Sequence, residues 1–166
     1  MLQKFLRLTF LSLVLWFIIT PIWTIAQEPA IPLIEIKDTD GIRHKLSTCI
    51  DTAKPNIIIL WKGCCTDGLS LLEEVNDWIT EEQVNAALLG ISCDNIRNNR
   101  KVIGQVRAIG YEGLVLIDEN QDLIRALGIN VFPAVLITNK EGTIVWRREG
   151  YSPSVFELIK AKIIEQ

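Results

Sequence analysis

Two adjacent cysteines, Cys64 and Cys65, are the residues of this chain best placed to do chemistry. They follow a short apolar run, Ile57 to Leu60, that is too brief for an independent helix and the right length for a buried strand. The run ends at Trp61, crosses Lys62 and Gly63, and delivers the pair to a helix start. Thr66 and Asp67 are cap-type residues, and Leu69, Leu71, Leu72, Val75 and Trp78 then recur at helical spacing, predicting a helix from about Thr66 to Thr80. A thiol at a helix N-terminus faces the positive end of the dipole and free backbone N–H groups, which favour the reactive thiolate. Lys62 adds a nearby positive charge. Cys65 is therefore the expected nucleophile.

The elements that position this turn can be read along the chain. Leu33–Lys37 alternates, Asp40-Gly41 marks a turn, and Ile42–Leu46 alternates again, predicting a β-hairpin. Cys49 follows in a short loop and reads as small buried filler. Ala86–Ile91 is a second apolar run, closed by Ser92-Cys93-Asp94. Asn95–Ala108 reads as a helix with Ile96, Val102, Ile103 and Val106 inward. Leu114–Ile117 is a short strand, and Asp118-Glu119-Asn120 caps a helix carrying Leu123, Ile124 and Leu127 that Gly128 ends. After Pro133 come a strand at Ala134–Thr138, a turn at Asn139–Gly142, and an antiparallel strand at Thr143–Arg147. Ser152-Pro153 opens the last helix. Alternating strands and helices closed by a hairpin predict an α/β fold with a mixed central sheet flanked by helices. In open sheets of this kind the working site lies at the carboxyl ends of the parallel strands, where Cys65 and Cys93 both stand.

Composition limits the partners. The 166 residues are 49% hydrophobic, and much of that excess lies at the front. Lys4 and Arg7 precede an apolar block from Leu8 to Ile19, and Thr24-Ile25-Ala26 ends it, the layout of a secretory signal peptide over 1–26. The alternative is an uncleaved anchor tethering the chain to a membrane through residues 8–25. No cysteine near the cleavage point offers lipid attachment. A linker over 27–32 and one domain over 33–166 complete the expected organisation, with an exported location in the periplasm or on the extracytoplasmic face of the membrane. Residues 1–26 hold two basic and no acidic side chains, leaving 15 Lys and Arg against 20 Asp and Glu in the remainder, net −5. That balance argues against a nucleic-acid partner. His44, the single histidine, reads as a surface residue. No set of Cys, His and acid spacing suggests a metal site, and no cofactor is expected.

Taken together, the order of hairpin, strand ending in an aromatic, cysteine at a helix start, strand ending in Asp, and the segment LVLIDENQDLIRALGINVFPAVLITNKEGTIVWRREG resembles the thioredoxin fold. More narrowly it resembles the exported thiol–disulfide oxidoreductases of TlpA/ResA type, with an N-terminal β-hairpin and an inserted αβ segment, over nearly all of residues 31–166. The resemblance implies a cis peptide at Pro133 abutting the reactive cysteine. It implies a groove in which Pro133 and Phe132 meet an extended substrate, and a Trp61 packed beneath the active-site turn. It implies a disulfide- or thiol-bearing protein substrate, or a low-molecular-weight thiol, as partner.

The departures are as specific. Aligned on Trp61, the W-C-x-x-C motif of that family puts Cys64 at the aromatic position and Cys65 at the nucleophile. Gly68 then replaces the resolving cysteine, and Ile59 and Leu71 occupy the two positions where relatives carry a buried acid. Three routes could still release a mixed disulfide at Cys65: pairing with Cys93 if geometry allows, a vicinal disulfide with Cys64 in a strained eight-membered ring, or an external thiol. For Cys93 the alternative is a buried small hydrophobe, and for Cys64 a packing substitute for Trp. A redox-inactive binding or scaffold domain is the competing reading of the whole. A peroxidase reading is weaker, because Lys62 and Ile58 stand where such sites need Thr or Ser and Pro.

Overall fold

In the computed structural model, residues 30–94 and 98–166 are described. The expected signal or anchor segment over 1–26, residues 27–29 of the linker, and Ile96 lie outside them. The strand that leads to the cysteines, β3 (Asn56–Trp61), is buried along its whole length. Ile57, Ile58, Ile59, Leu60 and Trp61 are all 0% exposed, which explains why the run shows no alternation: both of its faces are covered. Each such side chain contributes about 1.5–3 kcal/mol on leaving water.

Around β3 the chain builds a seven-stranded sheet in the order β2-β1-β5-β4-β3-β6-β7. Its strands are β1 (Glu35–Asp38), β2 (Arg43–Lys45), β4 (Ala87–Ser92), β5 (Val115–Ile117), β6 (Ala134–Thr138) and β7 (Ile144–Glu149). The central β3, β4 and β5 run parallel, while β1, β6 and β7 pair antiparallel with their neighbours. The helices are α1 (Thr66–Glu81), α2 (Asn99–Ala108), α3 (Asp122–Leu127) and α4 (Val155–Ile164). This is the mixed α/β sheet with helical cover that the sequence predicts.

The sheet separates two cores. On one face Ile57, Ile59 and Trp61 of β3 meet Leu71, Leu72 and Val75 of α1, Val102 and Val106 of α2, and Val155 and Ile159 of α4. On the other, Ile58 and Leu60 meet Ile36, Leu46, Ile91, Cys93, Leu116, Leu123 and Ala134. Strand alternation fixes which residue joins which core.

Some local expectations are revised. The hairpin strands are shorter than their alternation suggests, and Leu33 and Ile42 are 91% and 59% exposed. The turn is set instead by Asp38, whose Oδ1 accepts the N–H groups of Asp40 and Ile42, both at 2.9 Å. Burial pushes the Asp38 carboxyl up, but bonds from His44 and these amides outweigh it and hold the group below the usual carboxylate range. His44 is accordingly half-buried, its Nε2 2.7 Å from Asp38 Oδ2. Cys49 closes a 3₁₀ turn (Leu46–Cys49) and is half-buried rather than enclosed. Ile103 is also only half-buried on α2. Asp118 caps α3 as expected, accepting from the N–H groups of Leu123 and Ile124, and Gly128 ends that helix at φ 63°.

Candidate active site

The site sits where β3 stops. Register places Leu60 beside Ala134, so Pro133 stands level with Trp61 and with the turn that follows it. The turn Lys62–Cys65 is closed by the Cys65 N–H donating to the Lys62 carbonyl at 2.9 Å. Cys65 is the N-cap residue of α1 with extended backbone (φ −114°, ψ 114°), and its side chain makes no capping hydrogen bond. Cys64 is exposed, Cys65 half-buried, and their Sγ atoms are 3.5 Å apart.

That contact reverses one expectation. The Cys65 thiol is raised above its ordinary range, first by its hydrogen bond with Cys64, then by partial burial and the carboxylate of Asp67; Lys62 lowers it without prevailing. A thiol that hydrogen-bonds to a neighbouring sulfur is held in its neutral form, which opposes the helix dipole at Cys65.

Trp61 and Gly68 set the height of the turn. A Cβ on Gly68 would lie 2.5 Å from the Cβ of Trp61 and 3.5 Å from that of Pro133. On its other side the Trp61 ring lies over Gly90, where a Cβ would come within 3.1 Å of Cζ3. Trp61 thus packs against glycine at both ends of its side chain, and the first turn of α1 rests directly on β3 and on Pro133. The Phe132–Pro133 peptide is cis. Phe132 packs partly into the far core, and the Lys62 ammonium lies 4.7 Å from its ring centroid, joining the two loops of the site.

Cys93 is placed differently. It is 1% exposed and belongs to the core on the face opposite α1, and burial above all, with Asp118 nearby, drives its thiol far up. All four cysteines are free thiols. The strand-end position that suggested a partner for Cys65 therefore carries a side chain pointing into the other core.

Sequence reading assigned no role to Asp94, yet it holds the cysteine turn. Its Oδ2 accepts the Gly63 N–H at 2.6 Å and the Ser92 hydroxyl at 3.0 Å, and its Oδ1 accepts from the Asn98 amide at 3.2 Å. The Gly63 carbonyl in turn accepts from Lys101 Nζ at 3.0 Å and the Gln105 amide at 3.4 Å. Both backbone polar groups of Gly63 are gripped by residues at least 31 positions away, so no local spacing announces them. The loop before Pro133 has a similar support: Glu149 Oε2 accepts the N–H groups of Asn130 and Val131 at 2.9 and 3.0 Å. Burial pushes the Glu149 carboxyl up, but these amides and Arg147 overcome it and hold it low. Among the described residues no three metal-ligating side chains cluster, and no helix is long and apolar enough to cross a membrane.

Comparison with solved structures agrees with this architecture. An uncharacterised thioredoxin-like protein from Porphyromonas gingivalis is 26% identical, with a TM-score of 0.72 over 81% of this chain and 90% of its own. The thioredoxin domain of a thiol–disulfide oxidoreductase from Bacteroides vulgatus matches with a TM-score of 0.64 at 16% identity, covering 84% and 99%. The exposed lipoprotein thioredoxin of Streptococcus pneumoniae gives 0.62 at 19% identity, covering 80% and 98%. Comparison with curated proteins finds no significant match. A family comparison matches residues 28–147, from before β1 to within β7, to the AhpC/TSA family. With the cysteine turn, Pro133 and the central strands all inside that span, the chain belongs to the AhpC/TSA family and has a thioredoxin-like fold.

Proposed function

We propose that the protein is an exported thiol–disulfide oxidoreductase of atypical type, in which Cys65 is the nucleophile. The observation that carries this reading is the position of Cys65: N-cap of α1, at the carboxyl end of the central parallel strand, with Pro133 against the first turn of the same helix. A thiolate formed there attacks one sulfur of a substrate disulfide, making a mixed disulfide and releasing the other sulfur as a thiol. The dipole of a 16-residue helix stabilises the anion once it forms. Trp61 supports the turn from beneath, while Phe132 and Pro133 shape the surface along which an extended thiol- or disulfide-bearing chain lies. Disulfide exchange suits this turn better than peroxide reduction, because Lys62 stands where a peroxidase site needs the hydroxyl of Thr or Ser, and Ile58 where it needs proline. The apolar N-terminal block and the likeness to an exposed lipoprotein thioredoxin support an extracytoplasmic location, with residues 1–26 as signal or anchor.

An insulin-reduction assay on the wild type and Cys65→Ser, with dithiothreitol as electron donor, tests the reading. Catalysed precipitation lost in the variant is the expected result. Equal rates in both proteins would leave a fold without this chemistry.

A further inference from the structure

A thiol that has attacked a disulfide stays trapped until a second thiol releases it. Gly68, at the motif position for that second thiol, has no side chain and no space for one, since a Cβ would meet Trp61 at 2.5 Å. Cys93 is enclosed with Leu60, Ile91 and Leu123 on the face away from α1, and Cys49 packs against that same core. Cys64 remains: it is exposed, and its Sγ already touches that of Cys65 at 3.5 Å. Two features of the backbone make the contact feasible. Cys65 precedes the first helical residue and is extended, whereas adjacent residues within a helix do not face each other. The Lys62–Cys65 turn is closed by its own backbone hydrogen bond and anchored by Asp94 through the Gly63 N–H.

We propose that Cys64 is the resolving thiol and that the oxidised protein carries a Cys64–Cys65 vicinal disulfide. This rests on the reading of Cys65 as nucleophile. In the first step the Cys65 thiolate bonds to one sulfur of R–S–S–R′, the R–S–S–R′ bond breaks, and R′–S⁻ leaves and takes up a proton. In the second, the Cys64 thiol gives up its proton and attacks the Cys65 sulfur. The Cys64–Cys65 bond forms, the Cys65–S–R bond breaks, and R–S⁻ takes up that proton. The substrate gains two electrons and two protons, and the cysteine pair loses the same. The sulfurs must close from 3.5 Å to bonding distance, about 2.0 Å, in a strained eight-membered ring that a substrate thiol readily reopens.

The test uses the full chain, reduced and then exposed to oxidised glutathione, with acid quenching, alkylation of remaining thiols, and mass analysis after cleavage before aspartates. The fragment Asp51–Thr66 holds Cys64 and Cys65 and excludes Cys93. In the wild type and in Cys93→Ser this fragment should become two hydrogens lighter, free of glutathione and closed to alkylation. Cys64→Ser should stop with glutathione on Cys65. Stable glutathionylation of Cys65 in the wild type, equal to that in Cys64→Ser, would overturn the role of Cys64 and leave Cys65 as nucleophile. Arrest in Cys93→Ser would overturn it in favour of Cys93. A Cys65 that takes no glutathione in any of these proteins would remove the nucleophile reading itself, and the vicinal disulfide with it.

Discussion

Gly68 and Trp61 are packed so closely that a Cβ on the glycine would lie 2.5 Å from the Cβ of the tryptophan. Real side chains do not approach to that distance, and neither backbone is free to move. Trp61 is 0% exposed within the central strand, and Gly68 lies in the first turn of a helix seated on it. Replacing a helical glycine by alanine ordinarily stabilises by roughly 0.5–1 kcal/mol. Here overpacking of about 1–3 kcal/mol opposes and exceeds that gain. Gly68→Ala and Gly68→Cys should both lower the denaturation midpoint. Gly68→Cys, which rebuilds the C-x-x-C spacing, should not produce a faster reductase. A stable, more active Gly68→Cys would show that α1 can lift from β3.

The contact between Cys64 and Cys65 predicts the sign of a reactivity change. Since the Cys64 thiol is the foremost influence holding Cys65 up, Cys64→Ala should lower the Cys65 pKa and increase the thiolate present near neutral pH. Iodoacetamide labelling followed against pH should show Cys65 reacting faster in the variant, with its profile displaced towards acid. An unmoved profile would mean that the sulfurs do not interact in solution.

Asp94 is buried and accepts three hydrogen bonds, one from the peptide that begins the cysteine turn. Asp94→Ala leaves those donors without their acceptor, at a cost of about 1–3 kcal/mol. Besides a lower stability, faster hydrogen exchange at the Gly63 amide is expected, together with slower disulfide exchange at Cys65. If stability falls while Gly63 exchange is unchanged, Asp94 supports the sheet and not the turn.

Glu149 gives the loop before Pro133 a pH dependence. Its folded-state pKa lies below the unfolded value of about 4.3, so its stabilisation is fully present above that pH. It is lost as pH falls through the depressed folded value. Because the side chain remains 24% exposed, the contribution is about 1 kcal/mol at most. Wild type and Glu149→Gln should therefore differ in denaturant midpoint near neutral pH and converge in acid. A constant difference from neutral pH to strongly acid solution would assign the effect to something other than this carboxylate.

Cys93, enclosed on the far side of the sheet, should resist alkylation in the folded protein and react once denatured. Cys93→Ala should leave the rate of disulfide exchange unchanged. Losing the sulfur from a filled core should reduce stability by about 1–2 kcal/mol. A loss of exchange rate without a loss of stability would return Cys93 to the mechanism.

The sequence by itself determined the order of elements, the buried central strand, the cysteine pair at a helix start, and a thioredoxin-like frame. Each of these depends on short-range signals: an apolar run of strand length, helical spacing from Leu69 to Trp78, and a glycine ending α3. Tertiary structure alone decided where the cysteines stand. Cys93 looked like a candidate partner because it ends a strand beside β3, but the alternation of that strand turns its side chain into the opposite core. Gly68 looked like a missing cysteine, and its contact with Trp61 makes it a position where no side chain fits. The helix dipole favours a Cys65 thiolate, while the touching sulfur of Cys64 raises its pKa. The anchors of the turn, Asp94, Lys101 and Gln105, lie at least 31 residues from Gly63, where sequence separation says nothing of distance. Periodicity records which face of an element is buried; which side chains then meet depends on register and on how closely the helix sits on the sheet.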